Sequence, residues 1–147
     1  MNDERYRQEL IWTLRCVDKN QSALSCDGIG DTFKYMCGTY KDGHGVADDF
    51  SIGKTKFGYI VVEALGPYFR KLMLEEAAKA YYSLCFDETT NEKGFKEQQV
   101  AIRFWSDVSH SVQTRHLETF FIGHATSEIL LEYLRKAHEN ANIPLKI

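Results

Sequence analysis

No apolar run in this chain reaches the eighteen or so residues that a membrane span requires. Met1 is followed by Asn2, Asp3 and Glu4, not by a basic region and an apolar core, so no secretory leader is expected. The four cysteines, Cys16, Cys26, Cys37 and Cys85, are irregularly spaced and form no C-x-x-C pair. That spacing points away from a disulfide framework and toward reduced thiols in a nuclear or cytoplasmic protein. Cys26, Cys37 and His44 are the one set from which a zinc site can be imagined, but they lack the paired ligands of structural zinc. Small residues in or near a core are the plainer expectation for these thiols. A broad basic footprint is missing too. The net charge is -3 at pH 7, which gives non-specific nucleic-acid binding little support.

What the chain does have is enough apolar material for a core: 44% hydrophobic and 13% aromatic in 147 residues. With 27% charged residues, this is the composition of an ordinary globular domain, or of one domain with a helical appendage.

The hydrophobic period changes near residue 80. Before it, the signals are helical. Tyr6, Leu10, Leu14 and Val17, with Ile11 beside them, recur at the spacing of an amphipathic helix of about four turns. Phe33, Tyr35 and Met36 are expected in a short helix begun near Asp27 or Asp31. Residues 38–49, GTYKDGHGVADD, read as a glycine-bearing loop. From Ser51, the residues Phe57, Ile60, Val61, Ala64, Leu65, Tyr68, Phe69 and Leu72 form one stripe. Gly66-Pro67 interrupts it, which predicts either two helices meeting there or one kinked helix.

Beyond residue 80 the period shortens to two. Tyr82, Leu84 and Phe86 alternate with Ser83, Cys85 and Asp87. Asn91-Glu92-Lys93-Gly94 is turn chemistry. Val100, Ile102 and Phe104 mark a second strand, Ser106 to Ser109 a second turn, and Val112 to Ile122 a long third strand. Three strands on short links predict an antiparallel meander. A helix follows from about Thr126 to Asn140, with Ile129, Leu130, Tyr133, Leu134 and Ala137 as its buried stripe. The expected class is therefore α+β. A helical lead-in over residues 1–79 precedes a sheet-and-helix region over residues 80–147.

Candidate chemistry is sparse. Gly53-Lys54-Thr55 resembles the end of a P-loop, but the position five before Gly53 is Asp48, and Asp48 and Asp49 would repel phosphate. A helix start is expected there, with no nucleotide cofactor. His110, His116 and His124 fall in the third strand and its exit. His110 and His116 would share a face of a regular strand, yet six residues of strand hold them about 20 Å apart. Asp87 remains. An acid at a strand end before a turn is either a hydrogen-bond acceptor that shapes the turn or a catalytic carboxylate.

The order of FDETT at the end of a first strand, VAIRFW in a second, and a long strand leading into GHATSEILLEYL resembles the opening of the ribonuclease-H-like domain of hAT superfamily transposases, in particular their domesticated or truncated animal relatives. The lead-in FSIGKTKFGYIVVEALGPYF is similar to the helical segment before that domain. The resemblance covers roughly residues 50 to 147. It implies a partial ribonuclease-H-like fold and an ancestral activity of metal-dependent DNA transposition. Two aspartates and a glutamate would hold two magnesium ions. Asp87, followed by Thr89 and Thr90, matches the first aspartate as catalytic and metal-binding residue. The second aspartate and the glutamate have no counterpart within these 147 residues, and one carboxylate cannot hold two metals in line. This chain alone is thus expected to cut no DNA and to need no cofactor. Its expected role is binding or regulation, with a second copy or a parent transposase as partner. DNA enters as a partner only through the family. The alternatives are a fragment of a split or larger transposase completed by other sequence, and an unrelated α+β interaction module.

Overall fold

The computed structural model describes residues 2–37, 49–123 and 125–144. Residues 38–48 of the expected loop over 38–49, with the candidate ligand His44, and His124 and residues 145–147 lie outside the described residues. The chain divides into two compact units, Met1–Phe69 and Arg70–Ile147.

The first unit opens with α1, Asn2–Asp18, followed by a 3-10 turn, Ala23–Cys26, and α2, Ile29–Cys37. Helix α3, Lys54–Tyr59, runs into a π-helical segment, Ile60–Leu65, and then into α4, Gly66–Ala77, within which the boundary between the units falls. Gly66-Pro67 therefore stands where two helical elements meet, the first of them π-helical. Proline has no N–H, and its ring collides with the carbonyl four residues back in a regular helix. The widened turn resolves this conflict: the Gly66 N–H reaches back five residues to the Val61 carbonyl.

Cys16, Cys26, Phe50, Ile52 and Phe57 form the buried core of this unit, with Trp12, Phe33, Ile60 and Val61 packed against it. Trp12, Phe33 and Phe50 meet edge to face, with centroids 5.2 Å apart for Trp12–Phe33 and for Phe33–Phe50. Close approach at Phe50 requires Gly30, where a Cβ would lie 2.7 Å from the Phe50 carbonyl oxygen.

The face that α1 buries corrects the sequence expectation. Tyr6, Leu10, Ile11, Leu14 and Val17 are all at least 40% exposed, whereas Glu9, Thr13 and Cys16 are fully or almost fully buried. Polar side chains go inward here because each finds a partner. The Thr13 hydroxyl donates to the Glu9 carbonyl at 2.7 Å, and the Glu9 carboxylate accepts from Lys56 at 2.6 Å. In α2 only Phe33 of the expected apolar residues packs inward; Tyr35 and Met36 are exposed.

The second unit is an antiparallel meander in the order β1-β2-β3, built from β1 Tyr82–Thr90, β2 Lys96–Ser106 and β3 Ser111–Ile122, followed by α5, Ser127–Ala141. The β1–β2 turn closes on Asn91, whose side-chain oxygen accepts from Lys93 N at 3.0 Å and Phe95 N at 2.9 Å, while Gly94 takes φ 80°. On one face of the sheet Val100, Ile102, Phe104, Phe120 and Ile122 join Ala77 from α4 and Ala137 and Ala141 from α5 in the core. Asn142 ends α5 in the left-handed conformation, φ 49°, and turns Ile143 into the same core.

One irregularity sets the pattern of β3. Val100 pairs with Glu118, but Ala101 pairs with His116, so Leu117 is an extra residue. The bulge turns Leu117 inward to 1% exposure. Arg70 donates to the Leu117 carbonyl and lies 3.9 Å from the Glu118 carboxylate, which satisfies the carbonyl that the bulge displaces. Among the described residues, no helix is long and apolar enough to cross a membrane.

Candidate functional site

Asp87 does not end its strand. β1 continues through Glu88, Thr89 and Thr90, and the turn begins only at Asn91. The expected strand end is corrected by the length of the hairpin. Residues 88–90 are polar, but each has a partner in the ladder: Glu88 opposite Gln98, Thr89 opposite Glu97 and Thr90 opposite Lys96. Asp87 itself stands opposite Gln99, exposed, on the face away from the core. Its same-face neighbours along the strand are Cys85 and Thr89. The turn-shaping role belongs to Asn91, not Asp87.

His110 and His116 do not converge. His110 is in the β2–β3 turn with φ 48°, not in the strand. His116 is exposed on β3, its Nε2 2.8 Å from the Thr119 hydroxyl. Of the imagined zinc ligands, Cys26 is fully buried with its sulfur 4.0 Å from that of Cys16. Burial first, and then the neighbouring Cys26, raise the Cys16 thiol above its ordinary pKa. Cys26 is thus a core thiol; nothing is described of the Cys37 side chain. Among the described residues, no group of three histidine, cysteine or acidic side chains is placed to hold a metal ion.

Gly53-Lys54-Thr55 starts a helix, as expected, three residues later than Ser51. The Lys54 N–H that a phosphate would take donates instead to the Asp27 carboxylate at 2.7 Å. An acid at a helix start satisfies an orphan donor and complements the dipole. Asp27→Ala is expected to cost about 1 kcal/mol, with Asp27→Asn retaining most of that. Urea titration checks this, and equal losses in the two variants would refute the capping role.

Two features of the second unit were not visible from local spacing. One is an acidic clamp on the β2–β3 turn. The Glu76 carboxylate accepts from the Ser106 hydroxyl at 2.6 Å, and the Ser109 N–H donates to Ser106 Oγ at 3.1 Å. The other is a groove along β1, lined by Tyr82 and Leu84 from the strand and by Leu134, Arg135, His138 and Glu139 from α5. The Tyr82 hydroxyl donates to the Pro144 carbonyl at 3.1 Å and sits 2.8 Å from His138 Nε2, which makes His138 Nε2 the donor in that pair. The rings of Tyr82 and His138 stack with centroids 6.2 Å apart. Burial raises the Tyr82 phenol above its usual pKa, so it remains a protonated donor. The period-two pattern places Tyr82 and Leu84 on one face, but only the packing of α5 brings Arg135 and His138 beside them.

Comparison with protein-family models, with curated proteins and with solved structures finds no match.

Proposed function

We propose that this chain is a relative of hAT transposases that does not cleave DNA on its own and acts by binding or regulation in the nucleus or cytoplasm. The observation that carries this reading is the setting of Asp87. The strand and helix order of the second unit agrees with the opening of a ribonuclease-H-like domain, and Asp87 lies on its first strand. Two-metal chemistry needs several carboxylates converging on the ions, which activate the attacking oxygen and stabilise the leaving one. The residue directly opposite Asp87 is the amide Gln99. The nearest acid diagonally across, Glu97, is engaged by the Asn91 side chain at 2.7 Å. Asp87 on this reading keeps the position of a metal ligand without its partners. Magnesium belongs to the ancestral reaction, and DNA to the family's history of partners.

The exposure of Asp87 also favours a second reading, a fragment of a split transposase. A carboxylate on an open sheet face is accessible to acids supplied by another chain. The two readings separate in a mixture reconstituted with a chain that supplies the missing acids, where only the second gives metal-dependent nicking that Asp87→Asn abolishes. The purified chain with supercoiled DNA and magnesium or manganese is expected to give no nicking, and Asp87→Asn is expected to change stability by less than about 0.5 kcal/mol. Metal-dependent nicking that Asp87→Asn abolishes would overturn the proposal in favour of the enzyme.

A further inference from the structure

We propose that the open edge of β1 is a symmetric docking edge for β1 of a second copy of this chain, in the antiparallel register that sets Cys85 opposite Cys85 of the partner subunit. The proposal names a partner for the binding role and rests on that reading for its purpose, though not for its geometry.

Among the described residues β1 pairs with β2 alone. Its nine residues, about 30 Å of strand, carry charge only at Asp87 and Glu88, and no bulge interrupts them. The segment YSLCFDETT has no proline and no lysine, and its ladder with β2 runs unbroken from Tyr82–Phe104 to Thr90–Lys96. The inward side chains change along it. Tyr82 and Leu84 pack against the core, whereas Phe86 is left 49% exposed. The groove between β1 and α5 opens beside Leu84 and Tyr82. Such an edge, with a pocket for alternate side chains, is the geometry of strand addition.

Register decides the occupant. Directly opposed residues point to the same face, so only pairings of odd with odd and even with even keep both cores on one side. A two-fold centred on Asp87 opposes two like carboxylates, which is unfavourable. Centring on Phe86 sets Glu88 against Leu84, an acid on the apolar part of the groove. Centring on Leu84 pushes Glu88 past the start of the opposing strand. Centring on Cys85 pairs residues 82–88 entirely within β1. It places Phe86 of the partner subunit beside Leu84, where the half-exposed ring gains cover. It also places Glu88 of the partner subunit beside Tyr82, on the groove that Arg135, His138 and Glu139 line. Arg135 is the cation of that groove that Glu88 of the partner subunit would meet. Glu88 now pairs with Lys96 at 2.5 Å in an exposed setting, an interaction readily exchanged.

Sedimentation equilibrium of the full chain is expected to show a mass rising with concentration toward twice the 17.0 kDa monomer. Phe86→Lys should move that midpoint at least tenfold higher. Glu88→Lys, at an exposed position, should weaken the dimer, and Arg135→Glu added to it should restore much of the affinity. Diamide provides a second readout. It takes two electrons and two protons from a pair of Cys85 thiols, becomes the hydrazine and leaves a Cys85–Cys85 disulfide that peptide mapping identifies. A mass that stays monomeric to hundreds of micromolar overturns the proposal and leaves the non-cleaving reading intact. A dimer that Phe86→Lys and Glu88→Lys do not weaken, with no Cys85 cross-link, also overturns it, by placing the interface elsewhere. DNA nicking would overturn the function and leave the dimer standing.

Discussion

Leu117→Ala is expected to lower the stability of the second unit by about 3–4 kcal/mol, the largest effect of any single truncation in the sheet. Leu117 is 1% exposed and is the extra residue of the β3 bulge, so it alone fills the inward position that the register shift creates. Truncation removes three carbons from the core and leaves a cavity. Its neighbours cannot collapse into that cavity freely. Arg70 holds the Leu117 carbonyl, and Asn140 donates to both oxygens of Glu118 at 3.1 Å, which fixes the backbone on either side of the gap. Cavity cost grows with the volume that fails to close, and a pinned bulge closes poorly. Urea unfolding followed by Trp105 fluorescence measures the loss, because Trp105 lies in β2 of the same sheet. A loss below 1 kcal/mol would mean that the bulge slips, and that Leu117 is not the residue the fold depends on there.

The same bulge shows what the sequence could and could not convey. Alternation in Val100, Ile102 and Phe104 marks β2 and its buried face without ambiguity, since a two-residue period fits no helix. β3 alternates as well, but Phe120 and Ile122 are even-numbered and Leu117 is odd. A single extra residue reverses the parity of the strand, and no local signal announces it. The bulge leaves His110 and His116 on its same side, and what removes the strand face assumed for them is that His110 lies in the turn. Polar ladder residues are equally silent: Glu88, Thr89 and Thr90 read as a turn because nothing apolar recurs, although each has a strand partner. In α1 the apolar stripe predicted a buried face, and the helix buries another one. Hydrophobic periodicity detects burial driven by apolar area. It misses Glu9 and Thr13, whose burial depends on partners such as Lys56, 47 residues away. Asp87 was legible as an acid on the first strand. Its neighbour Gln99 became visible only once register was known.

Lys56→Met is expected to destabilise the first unit by about 3 kcal/mol, with Glu9→Met added to it recovering most of the loss. Glu9 is 1% exposed. Its Oε1 accepts from Lys56 Nζ at 2.6 Å and from the Ser51 N–H at 3.2 Å, while Oε2 is buried without a partner among the described residues. Removing the lysine therefore strands a carboxylate that one amide cannot compensate, and breaking a buried pair from one side costs about 3–5 kcal/mol. The lower end applies because the Lys56 side chain keeps 38% exposure, so water replaces part of what is lost. The double replacement removes the orphaned charge and the unpartnered Oε2 together. Apolar side chains of similar volume in place of a buried pair are often neutral or stabilising. The hydrogen bond from Lys56 to the Ser51 carbonyl, 3.0 Å, goes in both variants and so drops out of the comparison. A double-mutant cycle in urea gives the coupling directly. Losses that simply add would show that Glu9 is held by its surroundings and not by Lys56. A coupling of 2 kcal/mol or more would establish that a polar contact, not the exposed apolar stripe of α1, fixes which face of that helix turns inward.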